Sequence, residues 1–374
     1  MSSLTHEVIV VGGGLAGLCA SIHLAKEGRK VVLFEPKPYP RHKVCGEYIS
    51  KEVLPYLSSL GFDPFEHGAV KIDRFEWSHP KGRSIKTQLP LGGFGLSRYT
   101  IEEKLVQLAI GSGVQLLEES AAQLDSVQGG VEVQTTQGNI YKAQFGIAAY
   151  GKRSQLDKKL GREFISQKAN FMAAKWHAKG EFPEDLVALH NFEGGYCGVS
   201  KVENDRINFC FITTYESFKA HKDLPTFIQQ VLGANGRLKK LLDTTEMIFE
   251  KPLSIAQISF KDKPPVEGNW LMCGDTAGLI HPLSGNGMSM AIRSAELAAL
   301  QILTAKANAQ ENYKRLWRAE FKKRLRMGRI AAAVFGSSQL SMAAVNLFKL
   351  SPAVLRMLIS QTHGKLDKSQ TLKA

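Results

Sequence analysis

Three side chains in the sequence have the chemistry to donate a proton to a substrate. Cys45 lies in a loop between Lys43 and Gly46, where neighbouring cations are expected to lower the pKa of the thiol. His281 precedes a proline in a glycine-containing loop, and Tyr196 lies in a segment with the alternation of a strand. Each also has a plainer interpretation, as a small lining residue, a packing or capping residue, or a wall residue. They are our candidates for general acid–base catalysis.

A glycine-rich turn near the start of the chain has the spacing that binds a nucleotide diphosphate. Gly12, Gly14 and Gly17 follow the apolar run at residues 8–11 and precede a helical segment. The first glycine makes the sharp bend, the second lets the backbone approach a pyrophosphate, and the third lets helix and strand pack closely. The pyrophosphate would then meet the N–H groups at the start of the helix.

Two acidic residues identify the nucleotide. Glu35 ends the second apolar run, where its carboxylate can accept both ribose hydroxyls and would repel the 2′-phosphate of NADP. Asp275 stands at the end of a later apolar run and precedes a loop with Gly285 and Gly287, which leads into a long helical segment. An acidic group there can hold the hydroxyls of a ribityl chain, which NAD lacks. The two segments together therefore predict FAD.

These motifs resemble those of the glutathione-reductase-like flavoproteins with the p-hydroxybenzoate hydroxylase fold. That superfamily includes aromatic-ring monooxygenases, flavin halogenases and geranylgeranyl reductases, and the resemblance covers residues 6 to about 310. It implies that Asp275 contacts the ribityl chain, that the loop through Pro282 lies beside the flavin ring, and that the arginine of SRYTIEEKL approaches the FAD. The segment PRHKVCGEYIS is similar to a loop of the geranylgeranyl reductases. The motifs together assign cofactor binding to Gly12, Gly14, Leu15, Ala16, Gly17, Glu35, Pro36, Arg41, Cys45, Gly46, Arg98, Gly151, Gly274, Asp275, Pro282, Gly285, Asn286, Gly287 and Met288.

The chain also departs from the patterns of this superfamily. The hydroxylases carry an Asp-Gly pair in their middle motif, whereas this sequence has Tyr150 before Gly151. The WxWxIP signature of the halogenases does not occur, which argues against halogenation. The geranylgeranyl reductases carry a YxWxFP-like segment, and GGYCGVS retains Tyr196 but lacks the tryptophan and the proline.

Three functions follow from these resemblances and departures. The first is an NAD(P)H-driven monooxygenase that hydroxylates an aromatic or lipophilic secondary metabolite. The second is a flavin-dependent reductase of isoprenoid double bonds, which the segment PRHKVCGEYIS favours. The third is a non-catalytic flavin-binding protein, for which the missing Asp-Gly pair gives slight support. The sequence favours the monooxygenase and leaves the substrate, the choice of NADH or NADPH, and the oligomeric state open.

Composition narrows the class of protein. The 374 residues carry 44% hydrophobic residues and a formal charge of +13, and the five cysteines do not form CxxC pairs. We therefore expect a cytoplasmic protein with reduced thiols, no metal site and no nucleic-acid partner. Much of the charge lies at residues 313–329, and the following residues 331–359 are apolar with polar interruptions. These two segments either cover the flavin domain or form a peripheral membrane contact for a lipid-like substrate.

The pattern of elements predicts an α/β fold, with a Rossmann-type FAD-binding domain, an inserted and mainly antiparallel β-sheet substrate domain, and a helical C-terminus. One helix is expected near residues 224–242 of the inserted domain. The FAD-binding domain is assigned to residues 1–75, 98–165 and 266–310, the substrate domain to residues 76–97 and 166–265, and the C-terminal helices to residues 311–374.

Overall fold

The computed structural model describes residues 6–167, 169–279, 285–336 and 338–364 of the chain. Its strands are β1 (Val8–Val11), β2 (Val31–Phe34), β3 (Tyr48–Ser50), β4 (Val70–Ser78), β5 (Ser84–Gly95), β6 (Gln115–Leu117), β7 (Ala121–Val127), β8 (Gly130–Thr135), β9 (Ile140–Ala143), β10 (Phe145–Ala148), β11 (Phe171–Lys179), β12 (Leu186–Phe192), β13 (Gly195–Val202), β14 (Arg206–Thr214), β15 (Glu246–Met247), β16 (Leu253–Ile258), β17 (Val266–Glu267) and β18 (Trp270–Met272). Its helices are α1 (Leu15–Lys26), α2 (Leu54–Ser59), α3 (Arg98–Gly111), α4 (Gln155–Lys159), α5 (Tyr215–Lys219), α6 (Leu224–Gln230), α7 (Gly236–Thr244), α8 (Gly287–Thr304), α9 (Ala309–Gly336), α10 (Ser338–Leu350) and α11 (Pro352–Ser360).

The nucleotide motifs lie on a six-stranded sheet. Its strand order is β17-β18-β10-β1-β2-β6, and every neighbouring pair is parallel except β17 with β18. The four residues of β1 are buried, as those of a parallel strand covered on both faces should be. Helix α1 packs against both α3 and α8, which brings the glycine turn and the start of α8 to the same end of the sheet. The carboxyl ends of parallel strands form the edge where such folds bind ligands.

A nine-stranded sheet forms the second layer of the molecule. Its order is β15-β11-β14-β13-β12-β4-β5-β3, and β16 also pairs with β11. The pairs are antiparallel except for β12 with β4. Its outer core contains Trp176 stacked on Phe209, with ring centroids 5.1 Å apart. A smaller three-stranded sheet, β7-β8-β9, lies beside the nucleotide sheet, to which Asn269 attaches it through hydrogen bonds to the carbonyls of Val127 and Gly130.

The C-terminal helices α9, α10 and α11 pack on both layers. Tyr313 and Phe321 of α9 are fully buried in the core of the nucleotide sheet. Phe335, near the end of α9, stacks on Trp77 of β4 at 4.2 Å, and Phe348 of α10 joins the same apolar cluster. These helices therefore close one side of the space between the two sheets.

The predicted α/β class is confirmed, because parallel sheet, antiparallel sheet and helices are all present. The single helix expected near residues 224–242 is wrong, since α6 and α7 are separate. Asn235 starts α7 by accepting hydrogen bonds from the amides of Arg237 and Leu238, and its amide group donates to Ser78 Oγ and Asn191 O. These tertiary bonds fix the break between the helices. The exact domain boundaries stay a prediction.

Candidate active site

A cavity of about 1010 Å³ lies between the two sheets. One end is lined by the glycine turn, the end of β2, the loop of residues 41–48 and the start of α8. The other end is lined by apolar side chains of the nine-stranded sheet and of α9, α10 and α11. We call these ends the cofactor half and the apolar half. One continuous space thus connects the predicted nucleotide site with an interior suited to hydrocarbon.

The glycine turn has the geometry that its spacing predicts. Gly12 has a φ of +105°, a conformation that side chains rarely adopt. A Cβ atom on Gly17 would lie 1.8 Å from Gly12 O, so helix and strand can approach only without it. A Cβ atom on Gly14 would meet nothing closer than 3.6 Å, which leaves room on the cavity side for a pyrophosphate. Gly14 caps α1 without a side chain, so the first amides of α1 can donate to an anion.

Glu35 is held at the place where an adenosine ribose would bind. Its carboxylate accepts hydrogen bonds from the amides of Gly13 and Lys37 at 3.0 and 3.1 Å. The guanidinium of Arg41 forms an ion pair with the same carboxylate at 2.8 Å and covers the ring of Tyr39. Glu35 is buried to 8% exposure yet lines the cavity, so its oxygens can still accept ribose hydroxyls.

Two cations flank the turn and share one buried carboxylate. Glu102 of α3 pairs with Arg98 and, at 2.9 Å, with Lys43. Although burial opposes ionisation, these two cations hold the pKa of Glu102 below its usual range. Burial lowers the pKa of Lys43 to about 8. The guanidinium of Arg98 lies 3.6 Å from the position of a Cβ on Gly14, so the cluster presents excess positive charge where the diphosphate would lie.

Thr276 joins the segment that contains Gly151 to the segment that contains Asp275. The amide of Gly151 donates to Thr276 Oγ1 at 2.8 Å. Burial raises the pKa of Asp275, whose main-chain carbonyl accepts a hydrogen bond from Lys263 Nζ at 2.7 Å. Asp275 lines the cavity, where its carboxylate can meet ribityl hydroxyls.

A buried ion pair stabilises the Tyr150-Gly151 segment, which stands where the hydroxylases have Asp-Gly. Tyr150 donates to Asp157 Oδ1 at 2.9 Å, and Arg162 forms a fully buried ion pair with the same oxygen. Arg162 also donates to the carbonyl of Thr276 at 2.9 Å. A carboxylate seven positions further along the chain therefore anchors this motif, and sequence comparison with the hydroxylase pattern missed it.

The structure brings most of the predicted cofactor residues to the cavity. Gly17 and Asn286 do not line it: Gly17 supports the packing of α1, and Asn286 is fully buried and donates to Thr362 O at 2.6 Å. His281 and Pro282 lie outside the described residues. The predicted residues that line the cavity are Gly12, Gly14, Leu15, Ala16, Glu35, Pro36, Arg41, Cys45, Gly46, Arg98, Gly151, Gly274, Asp275, Gly285, Gly287 and Met288.

Cys45 lines the cavity near both Arg98 of the cofactor half and Cys210 of the nine-stranded sheet, a position that we call the junction of the two halves. Its carbonyl accepts a hydrogen bond from Asn208 of β14 at 3.2 Å, which ties the loop to the nine-stranded sheet. Burial raises the pKa of the Cys45 thiol, and this outweighs the nearby guanidinium of Arg98. The expected lowering of this pKa is therefore wrong. The thiol remains protonated at neutral pH, which suits a proton donor rather than a nucleophile.

A buried charge cluster under this loop was missed by the sequence analysis. Glu47, with φ of +54°, accepts hydrogen bonds from Arg98 N at 2.8 Å, Lys175 Nζ at 2.5 Å and His177 Nε2 at 2.7 Å. All three side chains of the Glu47–Lys175–His177 cluster are fully buried. Although burial opposes ionisation, Lys175 and His177 hold the pKa of Glu47 below its usual range. Lys175 and His177, two positions apart within an otherwise apolar stretch of β11 that ends at the exposed Lys179, were the available signal.

The apolar half is lined mainly by apolar side chains of the nine-stranded sheet and of α9, α10 and α11. Tyr196 of β13 is buried there, with its ring 6.0 Å from that of Phe335, and burial raises the pKa of its hydroxyl well above the usual value. Its ring lines the cavity, and its role in catalysis stays a prediction. The other apolar residues that line this half include Phe75, Trp77, Leu89, Val187, Leu189, Ile212, Ile258, Val334, Phe348, Leu355, Leu358 and Ile359.

Curated relatives show what kinds of protein this chain is similar to. It is 23% identical over 359 residues to conditioned medium factor receptor 1 of Dictyostelium discoideum, covering 84% of this chain and 68% of that one. It is 23% identical to the menaquinone reductase of Mycobacterium tuberculosis, covering 78% and 75%. It is 24% identical to digeranylgeranylglycerophospholipid reductase 1 of Methanosphaera stadtmanae, covering 83% and 77%.

The fold is shared with solved flavoproteins. The flavin-dependent brominase Bmp2 superposes with a TM-score of 0.79 at 16% identity, covering 95% of this chain and 93% of that one. The sequence model of the FAD binding domain family matches residues 5–320, which include the glycine turn, the Cys45 loop and Asp275. With the cavity geometry described above, these findings place the chain in the FAD binding domain family of FAD-dependent oxidoreductases.

Proposed function

We propose that the protein is an FAD-dependent reductase that adds two hydrogens across a carbon–carbon double bond of an isoprenoid lipid. The observation that carries this proposal is the position of Cys45, a protonated thiol at the junction of the cofactor half and the apolar half. A reductase requires a proton donor at that junction, because hydride addition to one carbon must be completed by protonation of the other.

The cofactor half fits FAD in shape and charge. The amides of Leu15 and Ala16 at the start of α1 would hold the pyrophosphate, with Arg98 and Lys43 beside it. Glu35 would hold the adenosine ribose, and Asp275 the ribityl chain. The chemistry that FAD would supply there, once reduced, is the donation of a hydride.

The protein's own residues supply the proton. Cys45 gives its thiol proton to the second carbon of the double bond, so one carbon–hydrogen bond forms as the sulfur–hydrogen bond breaks. The resulting thiolate would be stabilised by the nearby guanidinium of Arg98 and by a hydrogen bond from the main-chain amide of Glu47, both of which lower the pKa of this thiol. A proton from water then restores the thiol. The Glu47–Lys175–His177 cluster fixes the loop two residues beyond Cys45, so we assign it the positioning of the thiol.

The apolar half supports a long lipophilic substrate. Its wall is built from aliphatic and aromatic side chains, including Trp77 stacked on Phe335. A hydrocarbon chain would gain free energy by moving from water into this half, and once bound it would exclude water from the reacting carbon. The names of two of the relatives, reductases of menaquinone and of digeranylgeranylglycerophospholipids, support the same substrate class.

Product analysis tests this function. The FAD-loaded protein is incubated without oxygen with a geranylgeranyl lipid and with dithionite as the reductant. The masses of the products are then measured by mass spectrometry. We expect the product to gain a pair of hydrogens for each reduced bond, and the Cys45→Ser variant to lose this activity while keeping bound FAD. Cys210→Ser is the matched control, because Cys210 also lines the cavity and has its pKa raised by burial. Equal loss in both variants would contradict the role of Cys45.

The monooxygenase is the second candidate, because the apolar half also suits hydroxylation, in which the bound substrate must exclude water. It predicts a product that contains an oxygen atom from isotopically labelled O₂ and that forms only in air.

NAD(P)H is the electron donor that we propose for either reaction. Mixing the protein with NADH or NADPH without oxygen should bleach the flavin absorbance. Bleaching by neither nucleotide would favour another donor or the non-catalytic flavin-binding alternative.

A further inference from the structure

A row of cations lies along the exposed side of α9. Arg315, Arg318, Lys322, Arg326 and Arg329 are all exposed and recur every three or four residues, so they share one side of the helix. Arg329 pairs with Asp262 at 2.7 Å. Across the residues that the structure describes, the other four have no ion-pair partner. We call these five residues the basic row.

A row of apolar side chains lies along the exposed side of α10 and continues into α11. Leu340, Leu347, Leu350 and Met357 expose 53%, 54%, 87% and 53% of their surface. Ala343 is exposed between the first two, so the spacing is again that of one helix side. The opposite side of α10 is buried, as expected for a helix that packs on the protein body. We call these five residues the leucine row.

The helices that carry both rows also form the wall of the cavity. Ile330 of α9 lines the cavity and is 49% exposed, which marks an opening beside the basic row. Phe348 of α10 and Leu358 of α11 line the cavity from the inner sides of the helices that carry the leucine row. A lipid that reached this surface could therefore enter the apolar half between α9, α10 and α11.

We propose that the basic row and the leucine row dock the protein on an anionic membrane surface. Interfacial helices combine cations with exposed apolar residues in this way, since the cations meet lipid headgroups while the apolar residues enter the acyl boundary. No single helix among the described residues is long and apolar enough to cross a bilayer, and only α9 and α10 together, bent by 107°, meet that criterion. Contact along the surface needs no crossing.

The positive charge of the basic row favours an anionic membrane, rather than a second copy of the chain, as the partner of this surface. Two copies that met through this surface would bring two basic rows together, and their like charges would oppose the contact. Anionic headgroups would neutralise the same row. The docking itself does not depend on the reaction, but its use as a route for substrate rests on the proposed function.

Vesicle sedimentation tests the docking with the full FAD-loaded chain. We expect binding to phosphatidylcholine vesicles that contain phosphatidylglycerol, little binding to pure phosphatidylcholine, and loss of binding as salt rises. The triple variant R318E/K322E/R326E should weaken binding by about a hundredfold. The triple variant L340S/L347S/L350S should weaken it as well. A matched control, K158E/K159E/K240E, changes the charge equally at exposed lysines outside α9 and should leave binding unchanged.

Several outcomes would overturn the docking. Absence of wild-type binding to anionic vesicles at low salt would do so, as would equal binding by the R318E/K322E/R326E variant. The surface would be assigned to a second copy of the chain if the wild type formed a dimer and bound no vesicles, and if the L340S/L347S/L350S variant were a monomer. The proposed function is tested separately with an isoprenoid lipid dispersed in detergent, which all variants should reduce whether or not they bind vesicles. The proposed function would fail only if the wild type made no reduced product.

Discussion

The two halves of the cavity are built in different ways. The cofactor half consists of main-chain amides, small residues and charged side chains from short segments such as residues 12–16 and 41–47. The apolar half consists of side chains that are distant in sequence, such as Trp77 of β4 and Phe335 of α9. The first half depends on local backbone geometry, whereas the second depends on how the layers pack.

The halves also differ in their charges. Buried carboxylates of Glu47 and Glu102 tie the cofactor half together through ion pairs with Lys175, Arg98 and Lys43. The apolar half has a wall of hydrocarbon, in which a change of volume can be absorbed by neighbouring side chains. Substitutions in the cofactor half should therefore have large effects on folding or FAD binding, and those in the apolar half graded effects on substrate.

The glycine turn should show the largest effect. Gly17→Ala places a methyl group 1.8 Å from Gly12 O, a main-chain contact that cannot yield without moving β1 or α1. We expect the free energy of unfolding to fall by about 3 kcal/mol or more. Gly14→Ala is the matched variant, since its methyl group meets only ordinary contacts. It should keep the fold and weaken FAD binding at least tenfold, about 1.4 kcal/mol.

Chemical denaturation of the apoprotein and fluorescence titration with FAD measure these two effects separately. If Gly17→Ala were as stable as the wild type, the close packing of α1 on β1 would be wrong. If Gly14→Ala bound FAD normally, the pyrophosphate would not lie on this turn.

The Glu47–Lys175–His177 cluster should show the next largest effect. Glu47→Gln leaves a buried cation without its counterion and should lower the free energy of unfolding by about 3–5 kcal/mol. Glu7→Gln is the control, because Glu7 pairs with Arg29 at a partly exposed site where the loss should be at most about 1 kcal/mol. Equal effects in urea denaturation would contradict the importance of the buried cluster.

The same cluster predicts how stability depends on acid. The pKa of Glu47 is lowered in the folded protein from its usual value of 4.5. Its contribution to stability is therefore complete above pH 4.5 and is lost as pH falls through the lower, folded pKa. The difference in unfolding free energy between wild type and Glu47→Gln should shrink over that acid range. A difference that stayed constant down to the acid limit of folding would argue against an ionised Glu47.

The apolar half should respond in a graded way. Leu189→Trp fills part of this half, and we expect kcat/KM for an isoprenoid lipid to fall about tenfold with FAD affinity unchanged. Leu189→Met is the control, since it keeps a similar volume and should stay within about twofold of the wild type. Steady-state kinetics with the lipid and FAD titration measure the two quantities. A loss of FAD binding in Leu189→Trp would show that the halves are not separate.

The smallest expected effect is on the pH profile. Burial raises the pKa of Cys45, so the protonated, active form should persist to higher pH than an ordinary thiol would allow. The alkaline limb of kcat/KM should lie above pH 9.0, the usual value for a thiol. Any residual activity of Cys45→Ser should lack this limb. A limb at or below neutral pH in the wild type would mean that the thiol is not the acid.

The comparison of the halves also explains what the sequence could predict. The glycine turn and the cavity positions of Glu35 and Asp275 could be predicted, because each depends on spacing within a short segment. The α/β class could be predicted from the order of such segments along the chain. The partners of Glu47 could not, since Lys175 and His177 are distant in sequence and reach it only through the packing of β11 under the loop.

Two further predictions failed for related reasons. Neighbouring cations in the sequence suggested a lowered pKa for Cys45, but burial, which depends on the whole fold, has the larger effect. The helical pattern over residues 224–242 continued through Asn235, whose hydrogen bonds to Ser78 and Asn191 break it in the structure. Both errors arise where tertiary contacts override local chemistry.

The most direct test of the account is a single turnover without oxygen. The flavin of the wild-type protein is reduced with dithionite, an isoprenoid lipid is added, and the flavin absorbance is followed. We predict that the lipid alone reoxidises the flavin and that Cys45→Ser slows this step by about a hundredfold or more. A flavin that stayed reduced until oxygen was admitted, with a hydroxylated lipid as product, would contradict the reductase and establish the monooxygenase.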